Sequence, residues 1–286
     1  MSLYVNDAGT WKLSKDIHVF NGTNWFEPSE TWINDNGTWK LVHKVVAITA
    51  NTNNINLYTL AGSPTSPIRF KVTVNSGITV NSTASTTPAI TVGTGWPTGS
   101  AILLTNNGTI VGAGGSGGVG APYNGSAGAG AAGGTAIKAD FPITIDNIGS
   151  IVAGGGGGGG GGYTLYATGY KGFYATHTTG GSGGGGGGGN VAGVGGNGAS
   201  AAPTDPATEV GGGAGGNASG YTGGGGGTNP ANTNSPTGGA GGNAGTAGTD
   251  PATGSNSGAA GRAGYYVDGS TNVTWVTTGT RTGVLI

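Results

Sequence analysis

Apolar and polar residues alternate in short runs through the first 111 residues, and the pattern then gives way to glycine. Ile68-Arg-Phe70-Lys-Val72-Thr-Val74 and Ile78-Thr-Val80 have the two-residue period of half-buried strands, as residues 89–92 do more loosely. Gly62-Ser-Pro64, Asn75-Ser-Gly77 and Gly95-Trp96-Pro97 read as turns between them. A further strand, Ala101-Ile-Leu-Leu104, leads through Asn106-Asn-Gly-Thr-Ile-Val111 into the first glycine tract. The same entry recurs as Asp146-Asn-Ile-Gly-Ser-Ile-Val152 ahead of nine consecutive glycines, which predicts two similar strands feeding one glycine-rich structure.

The first 46 residues repeat. Trp11, Trp25 and Trp39 are fourteen residues apart, each following a Gly-Thr, and each glycine follows turn formers such as Asn6-Asp7 and Asn34-Asp35-Asn36. With the alternation of Leu3/Val5 and Ile17/Val19, this predicts strand–turn–strand units. Trp32 adds a fourth indole. These rings either form a small hairpin core or bury against a partner chain; the second reading is preferred, because so short a segment cannot bury so much apolar surface alone.

Between residues 112 and 264 the chain is glycine tracts separated by polar or aromatic inserts, the longest tracts being 154–162, 183–189 and 223–227. Such tracts have no side chains from which to build a core, so their order must come from backbone packed on backbone. An extended helix with three residues per turn does this where glycine removes the crowding, as in collagen. A run of glycine frees every face, and predicts helices with several neighbours stacked in layers. A disordered linker is the alternative on composition. Only Lys171, Asp205, Glu209, Asp250 and Arg262 are charged between residues 153 and 264, and the inserts recur at similar spacings, which favours order. After residue 264 the tail regains strand character around Val273-Thr-Trp275-Val276 and is expected to return to the β segment. The chain thus divides into an attachment segment (1–46), a β segment (47–111), a glycine sandwich with inserts (112–264) and a closing tail (265–286). The fold class expected is mostly β and irregular, with essentially no α-helix.

Composition narrows the function. The chain has 286 residues, 69 of them glycine, no cysteine and a net charge of −1. Near-neutrality argues against nucleic acid, which needs clustered Lys and Arg, and without cysteine no disulfide or thiolate metal site is expected. No basic and apolar leader and no run of ~20 apolar residues appears, so the expectation is a protein made soluble in the cytoplasm and not inserted in a membrane. Gly112-Ala-Gly-Gly-Ser-Gly117 fits G-x-G-x-x-G, but such matches arise by chance in this composition, and no helix or well-placed acid follows. His18, His43 and His177 lie in different segments without carboxylates at telling spacing, so neither an enzyme, a metal site nor a cofactor is expected.

If successive tracts run up and down, their inserts sort to two ends. Asn-centred turns at 190, 216–218 and 242–244 fall at one end with the connector 135–152. The other end collects 121–126, 163–179, 199–210, 228–237 and 249–254. The residues gathered there are Pro122, Tyr123 and Asn124 in the first insert. In the second they are Tyr163, Leu165, Tyr166, Tyr170, Lys171, Phe173, Tyr174 and His177. Pro203, Thr204 and Asp205 follow in the third, Asn229, Pro230, Asn232 and Asn234 in the fourth, and Asp250 and Pro251 in the fifth. The second insert is the chemically richest, with the Tyr-rich composition of antibody paratopes. Its rings would otherwise cover the glycine layers.

These features together resemble the detachable receptor-binding adhesins at the tips of long tail fibres in T-even-type bacteriophages. The residues that carry the likeness are Asn107-Gly-Thr-Ile-Val-Gly-Ala-Gly-Gly115, the long glycine runs and the closing stretch 261–284 with Trp275 and Gly279-Thr-Arg-Thr-Gly283. The resemblance implies a sandwich of polyglycine II helices, attachment to the trimeric fibre through Trp11, Trp25, Trp32 and Trp39, and receptor contact through the residues named in the five inserts, which would bind a bacterial outer-membrane protein, of porin type, or a surface glycan. It also implies a place at the fibre tip of the virion and a part in host range. The competing readings are a structural or ice-binding glycine-helix protein, for which regular rows of Thr would be needed and none is evident in the sequence, and a fibre-tip carbohydrate-binding protein.

Overall fold

Every second residue of the run from Arg69 to Val74 is buried, and the same inward period recurs in each long strand of the β segment. The computed structural model describes residues 4–7, 10–13, 18–122, 124–170, 173–179, 182–189, 191–197, 214–228, 237–252 and 256–286, with backbone alone for strands 4–7, 10–13, 164–170 and 173–179. Three antiparallel hairpins open the chain: β1 (Tyr4–Asp7) with β2 (Thr10–Leu13), β3 (Val19–Phe20) with β4 (Trp25–Phe26), and β5 (Glu30–Asp35) with β6 (Thr38–Ile48). In the third, Asn36 and Gly37 both have positive φ (51° and 85°), as a two-residue I′ turn requires.

From β6 onward the strands of the three large sheets pair in parallel. The chain winds around three sheets, placing one strand in each per coil. The first coil is β6, β7 (Thr52–Asn53) and β8 (Ile55–Asn56); the second is β9 (Arg69–Val74), β10 (Thr79–Asn81) and β11 (Ile90–Thr91). The third is β12 (Ala101–Asn106), β13 (Thr109–Val111) and β14 (Ile137–Lys138). The fourth begins with β15 (Ile143–Asn147) and β16 (Ser150–Val152) and is completed by β19 (Tyr265–Asp268). The last is β20 (Val273–Thr277), β21 (Thr280–Thr282) and β22 (Val284–Leu285). This is a parallel β-helix of five coils. A four-residue helical turn at Leu57–Leu60 and a 3-10 turn at Ser270–Asn272 are its helical content among the described residues.

Parallel register stacks like on like along the axis. Val72, Leu104, Ile145 and Trp275 form one column, Val80, Ile110, Ile151 and Arg281 a second, and Ile55, Ile90, Ile137, Val267 and Leu285 a third. Trp96, in a stretch read from sequence as a turn, is 5% exposed and packs in this core against Tyr58, Phe70 and Phe141, its indole N–H donating to the Val92 carbonyl at 2.9 Å.

The glycine region is two insertions at one corner of this coil, residues 112–136 between β13 and β14 and residues 153–264 between β16 and β19. Tract 154–161 is enclosed by others, and its hydrogen bonds have a period of three. Gly154, Gly157 and Gly160 donate to tract 128–134, Gly155, Gly158 and Gly161 to tract 182–188, and Gly156 and Gly159 to tract 246–249. Its carbonyls accept in the same rotation from tracts 258–264, 115–121 and 239–242. Three residues per turn, each turned toward a different pair of neighbours, is the geometry in which a glycine chain meets six others. An added Cβ at Gly157 would lie 1.9 Å from the Ser116 carbonyl oxygen, so no other residue fits there.

Candidate functional site

Register fixes the direction of each tract. Gly115, Gly118 and Ala121 donate to Gly155, Gly158 and Gly161, so those two tracts run the same way, whereas 154, 157 and 160 pair with 134, 131 and 128 in descending order. The same reversal joins 155–161 to 182–188, 193–196 to 184–187, and 224–227 to 183–186. The described chain therefore reaches the end remote from the β-helix at about residues 121, 162, 197, 228 and 250. It returns to the near end at 189, 218 and 243.

At the remote end Pro122 and Asn124 are exposed, Asn124 has a left-handed φ of 55°, and the turn closes through Gly125 N–H to the Pro122 carbonyl. The Tyr163 hydroxyl reaches the Asn124 side-chain oxygen at 3.4 Å. Asn256 ties a second turn to the first, its side-chain amide donating to the Gly125 carbonyl and its own carbonyl accepting from Ala127. Asp250 is exposed, yet its carboxylate accepts from the Ala260 N–H at 2.8 Å, so it braces the turn that leads into Pro251.

The second insert forms an antiparallel ribbon, β17 (Thr164–Tyr170) with β18 (Phe173–Thr179). Its register puts positions 166, 170, 173 and 177 on one face and 165 and 174 on the other. Tyr123, Lys171, Pro203, Thr204, Asp205, Asn229, Pro230, Asn232 and Asn234 lie outside the described residues. Asn256 was not among the residues expected from sequence; its place in the run Gly-Ser-Asn-Ser, of turn-forming residue types, is the one local signal for it.

The tryptophans lie on the three N-terminal hairpins. Trp11 is on β2, opposite Asn6. Trp25, Trp32 and Trp39 are 69%, 50% and 65% exposed, and Phe20 packs on Trp25 with ring centroids 5.3 Å apart. Phe20 and Phe26, also half-exposed, extend the patch beyond what the tryptophan spacing marked. Trp32 and Trp39 line a groove with residues 61–66. Glu27 fastens this region to the coil, with one carboxylate oxygen 2.9 Å from Lys71 Nζ and the other 3.4 Å from His43 Nε2.

Among the described residues no three His, Asp or Glu side chains converge as a metal site. Burial raises the Tyr221 phenol above its usual pKa.

Comparison with known proteins matches residues 43–286 to the family model described as phage tail fibre adhesin Gp38. No curated protein sequence matches. The fold is similar to a chain in the crystal structure of the gp37-gp38 adhesin tip complex of the bacteriophage S16 long tail fiber, at 24% identity and a TM-score of 0.53, covering 85% of this chain and 82% of that one. With the family model spanning the β-helix and the whole glycine region, the chain belongs to the Gp38 family of phage tail fibre adhesins.

Proposed function

We propose that this adhesin caps the tip of a trimeric long tail fibre through its tryptophan hairpins and binds an outer-membrane protein of porin type through its remote inserts, and so sets host range. The observation that carries this reading is the alternation of tract direction, which brings the ends of successive tracts to one end of the glycine region, remote from the β-helix. A rigid backbone scaffold presenting variable loops is the arrangement that recognition surfaces use, and the ribbon 164–179 supplies that face with rigid aromatic residues. The complex in which the S16 neighbour was crystallised, between gp37 and gp38, supports the fibre partner. The reading needs no catalytic step.

Exchanging residues 163–179 for the insert of another family member tests it. Virions are expected to keep the adhesin on the fibre and to lose adsorption to the original host. Strains lacking single outer-membrane proteins should identify one whose loss has the same effect. Unchanged adsorption after the exchange would remove the ribbon from receptor contact, and sensitivity only to removal of surface sugars would overturn a protein receptor.

A further inference from the structure

The second sheet lines up hydroxyl groups. Thr79, Thr109, Ser150 and Thr280 are consecutive partners across β10, β13, β16 and β21. Their neighbours Val80, Ile110 and Ile151 are fully buried, so the row faces outward. Two near-end turns of the glycine region stand over it, bringing Tyr221 and Asn243 opposite Thr109 and Ser150 around a cleft of about 480 Å³. Val152 and Ala244 supply its apolar surface, and among the described residues no Lys, Arg, Asp or Glu lines it.

The chemistry of the cleft selects a ligand class. Among the described residues the side-chain hydroxyls of Thr109, Ser150, Thr282 and Tyr221 have no protein partner. The Asn243 side-chain oxygen accepts from the Gly223 N–H at 3.1 Å, which leaves its NH₂ group as a donor. An apolar ligand would strand these groups, and an anion would find no countercharge. A neutral saccharide satisfies both constraints. Its hydroxyls donate and accept as those of Thr and Ser do, and its C–H face packs on a half-exposed ring such as Tyr221, which is 45% exposed. Strands about 4.8 Å apart repeat the hydroxyls at close to the length of one sugar ring.

We propose that this cleft binds a stretch of neutral, unbranched glycan, with Tyr221 packed on one sugar ring and Thr109, Ser150 and Asn243 exchanging hydrogen bonds with its hydroxyls. The site lies at the near end of the glycine region, and it stands or falls apart from receptor binding at the remote end.

Saturation-transfer NMR on the full chain with maltohexaose, cellohexaose and a dextran hexamer as probes tests this. At least one is expected to receive transfer at millimolar concentration. Tyr221→Ala should weaken that binding roughly tenfold or more, and Thr282→Val, which keeps shape and removes a hydroxyl, should weaken it with the unfolding temperature unchanged. Tyr166→Ala, in the remote ribbon, should leave it intact. No transfer to any of the three probes overturns the proposal, as does binding indifferent to both cleft variants.

Discussion

Asn147 lies directly on Asn106 in the coil, the Asn106 side-chain amide donating to the Asn147 side-chain oxygen at 2.8 Å with both residues fully buried. The pair continues the inward column of Val74, and it satisfies the backbone where the chain bends from the first sheet to the second. The Asn106 oxygen accepts from Gly108 N–H, and the Asn147 amide donates to the carbonyls of Thr278 and Thr280. Removing Asn147 strands the buried Asn106 amide, costing about 1–3 kcal/mol, and takes the side-chain donor from the Thr278 and Thr280 carbonyls at the edge of the last coil. Asn147→Ala is therefore expected to lower the unfolding free energy by roughly 2–4 kcal/mol, read by denaturant titration. A loss near zero would mean that water replaces the amide without cost.

Two glycines make a matched test of backbone packing. A Cβ at Gly157 would sit 1.9 Å from the Ser116 oxygen, whereas one at Gly225 would meet nothing within 4 Å. Gly157→Ala should disrupt the central tract and destabilise by more than about 4 kcal/mol. Gly225→Ala should be neutral or stabilise by about 0.4–1 kcal/mol, because alanine restricts the unfolded chain. Amide exchange across 154–161 reads both. Equal protection in the two variants would contradict the close packing.

Arg281 occupies the last place in the column of Val80, Ile110 and Ile151, where the core meets solvent. Its guanidinium lies 4.9 Å from the Trp275 ring centroid and 5.5 Å from that of Tyr266. A cation over half-buried aromatic rings is worth about 0.5–2 kcal/mol, and here it also covers the open end of the coil. Arg281→Ala should cost about that much stability and promote self-association through the uncovered edge strands, measured by unfolding and light scattering. An unaltered, monodisperse variant would show that the edge needs no such cover.

Much of the fold was legible because it is local. Alternation marked β9, β10 and, more loosely, β11, and the repeat of Asn-x-Gly-x-Ile-Val marked β13 and β16, which prove to be register partners with Thr109 opposite Ser150. Tract direction followed from counting turns. The parallel β-helix was not legible, because its strands pair across gaps as long as residues 153–264 and no local period records such pairing. For the same reason the row from Thr79 to Thr280 is invisible in the sequence, where its members lie about thirty to well over a hundred residues apart. Gly95-Trp96-Pro97 does lie in the connection between β11 and β12, but nothing local to it records the burial of the Trp96 ring, which Phe70 and Phe141 from other coils decide.

The remaining tryptophans give the sharpest test of attachment. Trp25 and Trp39 are 69% and 65% exposed, so truncating them removes little buried surface within this chain, and stability should change by no more than about 0.5 kcal/mol. At an interface, a buried indole commonly carries about 2 kcal/mol or more, roughly a thirtyfold change in affinity. Trp25→Ala and Trp39→Ala are each expected to weaken capture of the adhesin by purified fibre tips by that factor, and the double variant to abolish it. Trp96→Ala is the contrasting case: it empties a core position and should cost about 3–5 kcal/mol of stability. If the two exposed variants cap fibres normally, the hairpin patch is not the attachment surface; if they fail only with a stability loss like that of Trp96→Ala, the indoles are a core of their own.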